Sequence, residues 1–226
     1  MRQLSSYIIE KLDLTLPVGT KHTLFPKTKE ELIEMIESEI KKNGHDCSLN
    51  HIDVSKIEDM SELFCDSDFN GDISEWDVSN VTNMQYMFAY SKFNRDISDW
   101  DVSGVTNMRY MFCKSQFNED ISDWDVSKVT NMYRMFQYSM FNGDISDWDV
   151  SSVKNMGCMF SGSKFNGDIS DWDVSSVTNM RYMFVHSKFN KDISQWQLND
   201  KCKELLNHRD IFLDCPIKMQ FKPTFK

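Results

Sequence analysis

No stretch of this chain approaches the roughly 18 consecutive apolar residues that a membrane-spanning helix needs, so membrane insertion is not expected. Glycine is sparse, at eight residues, and neither G-x-G-x-x-G nor G-K-[ST] occurs. That removes the phosphate-cradling loops of nucleotide-binding enzymes. The six cysteines, Cys47, Cys65, Cys113, Cys158, Cys202 and Cys215, form no C-x-x-C pair and keep no regular spacing with histidine. A zinc site and a disulfide framework are therefore not expected, and the thiols read as small buried hydrophobes. The five histidines (His22, His45, His51, His186, His208) are scattered, with no nucleophile and base placed to converge. No enzyme and no cofactor follow from this inventory. Positive charge is also short: 25 Lys and Arg face 35 Asp and Glu, for a net charge of −10. Such a surface repels phosphate backbones and anionic lipid, which argues against a nucleic-acid partner.

The first residues, MRQLSSYIIEKLDLTLPVG, lack the unbroken apolar core and small-residue cleavage site of a secretory signal, because Glu10 and Asp13 interrupt them. As written, the chain is expected in the cytoplasm.

What is present is a surplus of a few large side chains: 15 Met, 16 Phe and 6 Trp in 226 residues. The tryptophans, Trp76, Trp100, Trp124, Trp148, Trp172 and Trp196, are all 24 residues apart. A fixed period of this length is the mark of a stacked array. Five full units begin at Asp72, Asp96, Asp120, Asp144 and Asp168, and 15 of their 24 positions are identical in all five. Their consensus is D-I-S-x-W-D-V-S-x-V-T-N-M-x-x-M-F-x-x-S-x-F-N-x. A degenerate unit precedes them from 48. A last unit begins at 192, with an insertion of about four residues before Phe212, Cys215 and Ile217 resume the pattern.

Within a unit, T-N-M-x-x-M-F-x-x-S reads as a short helix. Met108, Met111 and Phe112 fall at i, i+3 and i+4, and Thr106 or Asn107 is placed to cap its start. The segment F-N-x-D-I-S-x-W-D-V reads as one or two short strands with a bend, Phe93, Ile97, Trp100 and Val102 pointing inward. One helix and short strands in 24 residues cannot bury a core alone, so stacking is required. The expected fold is thus an α/β solenoid, a leucine-rich-repeat-like curved stack. Its curvature would come from helices packing wider than strands. Three regions follow: an N-terminal segment (1–47) with a capping helix (28–42), the repeats (48–217), and an extended C-terminal tail (218–226). Thr28 and Glu31 make a capping-box pattern, Leu32, Ile36 and Ile40 a single apolar stripe, and Gly44 a stop. A shorter helix is expected from Asn199 to Asn207. Two caps imply a monomer.

The units D-I-S-x-W-D-V-S-x-V-T-N-M-x-x-M-F, each followed by F-N-x, resemble the repeat of BspA-type leucine-rich-repeat surface proteins, also found in mycoplasma-type lipoproteins. The resemblance covers about 48–217 and implies a leucine-rich-repeat-like stack. For exported members it also implies bacterial surface display, adhesion or host-protein binding. It attaches no catalytic residues.

Two features carry the functional expectations. Columns of aspartate recur at the Asp72, Glu75 and Asp77 positions of each unit. Stacked carboxylates either bind calcium, or those of the Asp72 and Asp77 columns accept backbone N–H or Ser/Thr hydroxyl bonds at bends, while the Glu75 column, which becomes Gln195 in the last unit, faces solvent. The second feature is the set of positions that vary on an otherwise fixed scaffold, where specificity can be written. These are Gln85/Tyr86, Arg109/Tyr110, Tyr133/Arg134, Gly157/Cys158 and Arg181/Tyr182, and then Ala89/Tyr90, Cys113/Lys114, Gln137/Tyr138, Ser161/Gly162 and Val185/His186. They read either as a protein-binding face or as ordinary helix surface. Because Tyr and Arg are favoured at interfaces, Tyr86, Arg109, Tyr110, Arg134, Tyr138, Arg181 and Tyr182 are the candidate partner-binding residues. The expected function is a non-enzymatic scaffold for protein–protein interaction with an unidentified partner. A calcium-dependent array is the alternative.

Overall fold

The computed structural model describes residues 22–205 and 208–224. The reading of the first 19 residues, the Leu206–Asn207 end of the expected second helix and the last two residues of the tail lie outside them.

The helix α1 spans Lys29–Asn43. Thr28 caps it with an extended backbone, its hydroxyl accepting from the Glu31 N–H at 3.3 Å. The Glu31 carboxylate reaches back to the N–H of Lys27, at 2.7 Å, rather than to that of Thr28. Gly44, at φ 88°, ends the helix by donating its N–H to the Ile40 carbonyl. Leu32 and Ile36 are buried in the main core, so the apolar stripe of α1 covers the first coil.

From there the chain winds in 24-residue coils, but the fold is not the α/β stack of helices and strands that the periodicity suggests. Among the described residues the other helices are α2 (Asp200–Leu205), α3 (His208–Phe212) and a 3-10 turn (Met219–Phe221), all near the C-terminus. Strand-like pairing among the described residues is limited to isolated parallel bridges, Leu24 with Ile52 and a single series through Asp59, Asn83, Asn107, Asn131, Asn155 and Asn179. The segment expected to be helical is instead a ribbon of overlapping turns. In the unit containing Trp76, the N–H groups of Met87, Ala89 and Ser91 bond to the carbonyls of Met84, Tyr86 and Phe88. Tyr86 and Tyr90 sit at positive φ, 58° and 60°, as the third position of a type II turn requires. A right-handed helix cannot pass through such residues.

The reason lies in where the backbone bonds go. The N–H groups not used in turns, those of Met84, Tyr86, Phe88 and Tyr90, donate to Asn107, Arg109, Met111 and Cys113 of the next coil at 2.8–2.9 Å. The carbonyls between them accept from the coil before, as when Gln85, Met87 and Ala89 take the N–H groups of Glu62, Phe64 and Asp66. Every donor in the ribbon is thus used, half within the coil and half between coils. An α-helix would satisfy its groups internally and leave neighbouring coils joined by side chains alone. Side chains fix both ends of the ribbon. Asn107 Oδ1 accepts from the Arg109 N–H at 3.2 Å, an Asx turn rather than a helix cap. Ser91 Oγ bonds to the Phe88 carbonyl at 3.0 Å. With no column of helices, the spacing mismatch invoked to bend the stack into a horseshoe has no source.

The inward set is continuous. Phe88, Phe112, Phe136, Phe160 and Phe184 stack on one another with centroids 5.7–5.8 Å apart, and Phe212 completes the column at 5.6 Å. A second column, Phe69 to Phe189, repeats at 6.3 Å. Each indole also fastens two coils. Trp124 Nε1 donates to the carbonyl of Ile97 at 3.1 Å, a carbonyl that already accepts from the backbone N–H of Trp100. The same bond recurs from Trp76 to Trp196 at 2.9–3.1 Å.

At the C-terminal end the period slips. Tyr182, Phe184 and His186 donate to Asp210, Ile211 and Leu213, and Cys215 Sγ lies 3.5 Å from Ser187 Oγ. The chain thus supplies the closing row itself, with α2 and α3 absorbing the extra residues.

Replacing Trp124 by Phe removes one inter-coil hydrogen bond and part of a buried ring. Unfolding by urea is expected to show a loss of roughly 2–3 kcal/mol. An effect below half a kcal/mol would show that the indole column does not fasten the stack.

Candidate functional site

The variable positions fall on the turn ribbon, with one residue at positive φ at each bend; of these Tyr90, Tyr138 and Tyr182 are exposed, whereas Tyr110 and Cys158 are buried. The residues in this left-handed region include Tyr86, Tyr90, Tyr110, Lys114, Arg134, Tyr138, Tyr182 and His186. Non-glycine residues pay about 1–2 kcal/mol for that conformation, and here the inter-coil bonds on either side impose it.

Four of the seven candidates form one cluster. Tyr86 and Tyr110 stack at 4.3 Å with planes 11° apart. Tyr133 meets Tyr110 edge-on at 5.5 Å. The guanidinium of Arg109 lies 5.1 Å from the Tyr110 ring and 5.5 Å from that of Tyr133. Arg134 lies 5.4 and 5.1 Å from the same two rings. Two cations therefore share two rings, each contact worth about 0.5–2 kcal/mol. The Nε atoms of both arginines are buried without a hydrogen-bond partner among the described residues. Beneath the cluster sit Ala89 and Cys113, both fully buried. Burial first, and then the Tyr110 hydroxyl, push the Tyr86 phenol up to about 12. Burial pushes the Cys113 thiol up to about 11, so it carries no reactive thiolate at neutral pH.

Tyr138 belongs to a second row. Lys114 lies between two rings, 5.1 Å from Tyr90 and 5.9 Å from Tyr138, and both tyrosines are about half exposed. Arg181 and Tyr182 are exposed one coil further on, beyond the Gly157/Cys158 coil. The missing side chain at Gly157 leaves room for the Tyr133 ring, which a Cβ there would meet at 3.0 Å. At Gly162, φ 66°, a Cβ would overlap Tyr138 Cε1 at 2.2 Å. Tyr133, Tyr90 and Lys114 were not among the seven. Column arithmetic could have found them, since Tyr133 shares the column of Arg109, and Tyr90 and Lys114 that of Tyr138.

The carboxylates of the Asp72 and Asp77 columns are hydrogen-bond acceptors within their own coils. From Asp72 to Asp173, each carboxylate at the first and second bends takes the N–H of the serine two residues on, at 2.9–3.1 Å. Those backbone bonds, with the serine hydroxyls, hold Asp96, Asp120, Asp144 and Asp168 below the ordinary carboxylate range. At Asp101, Asp125 and Asp173 the hydroxyl acts first and the backbone second, in the same direction. Among the described residues no three His, Cys, Asp or Glu side chains converge as a metal site would require. Asn94, Asn118, Asn142 and Asn166 each accept on Oδ1 the backbone N–H of the asparagine one coil on, at 2.7–2.8 Å. Amide-to-amide bonds occur in the other asparagine column, from Asn107 to Asn83 at 3.0 Å and from Asn179 to Asn155 at 2.9 Å.

A core of 24-residue coils fastened by identical bonds defines a repeat protein. The family whose model matches, over residues 31–140 and again over 113–216, is described as a Mycoplasma protein of unknown function, DUF285. The chain belongs to this family. No curated protein matches, and no solved structure matches.

A carboxylate held below its ordinary range stabilises the fold above the unfolded-state value, and that contribution is lost as pH falls through the folded one. The melting temperature is therefore expected to be level from pH 7 to about 5 and to drop below about pH 4. Millimolar calcium is expected to leave it unchanged, whereas a rise on adding calcium would show a ligand bound by the folded state.

Proposed function

We propose that the chain is a non-enzymatic interaction module whose Tyr/Arg-bearing ribbon binds an acidic surface of another protein. One observation carries the reading: Arg109 and Arg134, two guanidiniums set against the same pair of tyrosine rings. Neither makes an ion pair with a carboxylate among the described residues, on a chain whose net charge is −10. Tyrosine and arginine are the residue types that dominate interface energetics. A stacked guanidinium still presents its outer N–H groups to a partner's carboxylates. The exposed rings of Tyr138 and Tyr182 extend the face along the stack. Binding needs no cofactor, and the covered ends of the core favour a monomer. The resemblance of the repeat to BspA-type surface proteins supports an adhesive setting, with the partner on a host or neighbouring cell.

The test is capture of a partner by immobilised wild-type chain, compared with a variant carrying Arg109→Gln, Arg134→Gln and Tyr182→Ala. A second variant carries Tyr110→Ala, Arg134→Ala and Tyr182→Ala. Circular dichroism and melting temperature establish that each is folded. Loss of the partner by the folded glutamine variant is expected, as is wild-type binding that weakens with salt. Unchanged capture by both folded variants removes this face from consideration.

A further inference from the structure

The bonding between coils has a direction, and it leaves the two ends of the stack unlike. Each ribbon donates from alternate N–H groups toward the C-terminus and accepts on alternate carbonyls from the N-terminal side. At the C-terminal end the last donors are taken by Asp210, Ile211 and Leu213. At the N-terminal end the matching acceptors are the carbonyls of Ser61, Leu63 and Cys65, which correspond to Gln85, Met87 and Ala89 one coil later. Among the described residues nothing donates to these three. The helix α1 covers the core of this coil, but none of its N–H groups donates to these carbonyls, and it does not extend the row.

Beside that row, between α1 and the first ribbon, lies a groove of about 700 Å³. Ile33, Ile40 and Leu63 give it an apolar lining, and Glu37, Glu62 and Asp66 give it an acidic rim. All three acids are exposed, and none is ion-paired among the described residues. We infer that this groove takes an extended segment of a partner protein in which basic and apolar residues alternate. The segment's alternate N–H groups continue the row by pairing with the Ser61, Leu63 and Cys65 carbonyls. Its apolar side chains settle against the isoleucines, and its Lys or Arg side chains meet the rim. An extended chain presents alternate N–H groups along one edge, and addition to an open edge is a recurrent mode of peptide recognition. An open edge of this kind is otherwise a liability that folds cover. The inference is independent of the Tyr/Arg face, which lies further along the stack on other coils.

The probe is a short fluorescein-labelled peptide of alternating lysine and valine, titrated with the full chain and followed by anisotropy. Two further probes carry N-methyl groups on every lysine nitrogen or on every valine nitrogen of the backbone, so that each lacks the donors of one edge. Saturable binding of the parent peptide is expected. One methylated form should lose at least about tenfold in affinity while the other stays close to the parent, a difference of about 1.4 kcal/mol or more. The surface variant Glu37→Lys, Glu62→Lys, Asp66→Lys should lose binding, and the Arg109→Gln, Arg134→Gln variant should keep it. Equal binding of both methylated forms, or undiminished binding by the folded charge-reversed variant, would overturn the inference. So would a sedimenting dimer that the peptide dissociates, since the groove would then be filled by a second copy.

Discussion

Each coil of this protein gives every second backbone N–H of its ribbon to the coil that follows, and the architecture depends on that division. The bonds fix the coil-to-coil register, because a donor such as Tyr86 meets Arg109 and nothing else. Register in turn aligns like with like, so phenylalanine rings stack on phenylalanine rings and indoles fall under the carbonyls they bond. The buried aromatic columns then supply the hydrophobic stabilisation that no single coil of turns could generate. Backbone and side chains use the same 24-residue period, and a slip in one would break the other.

The same division explains the strained backbone. If alternate donors are to point along the stack, the residues between turns must visit the left-handed region, and tyrosine, lysine, arginine and histidine do so at φ values between 53° and 60°. No valine, isoleucine or threonine stands at any of these positions, although Val185 stands immediately before His186. Branching at Cβ is what that conformation tolerates least. Local sterics thus keep Cβ-branched side chains from these positions and leave them to unbranched ones, including the tyrosines, Lys114 and Arg134 of the candidate site.

The period and the inward residues were legible in the sequence, while the backbone was not. Met108, Met111 and Phe112 are all fully buried, as a shared face requires. Spacings of three and four are, however, common to a helix and to overlapping turns. What separates the two is the sign of φ at Tyr110 and Lys114, on which hydrophobic periodicity is silent. Short side-chain signals were available, since Asn107 begins an Asx turn and Ser115 closes the ribbon, and both residue types compete with helix. The strands failed for a related reason. Phe93, Ile97, Trp100 and Val102 are buried, but serine-capped aspartates at Asp96 and Asp101 turn the chain too often for a ladder wider than one residue. At the site, reading each unit separately isolated Tyr86, Arg109 and Arg134. The pairing of both arginines over Tyr110 and Tyr133 emerges only when adjacent coils are laid side by side.

Because every internal junction repeats the same bonds, in-frame gain or loss of one copy by recombination would leave each donor with an acceptor and each ring with a neighbour. Such an event would change how far the molecule reaches without asking the remaining copies to adapt. Overall length can therefore change by whole units while the mode of folding stays constant, and the outward-facing residues can be exchanged as whole cassettes rather than one substitution at a time.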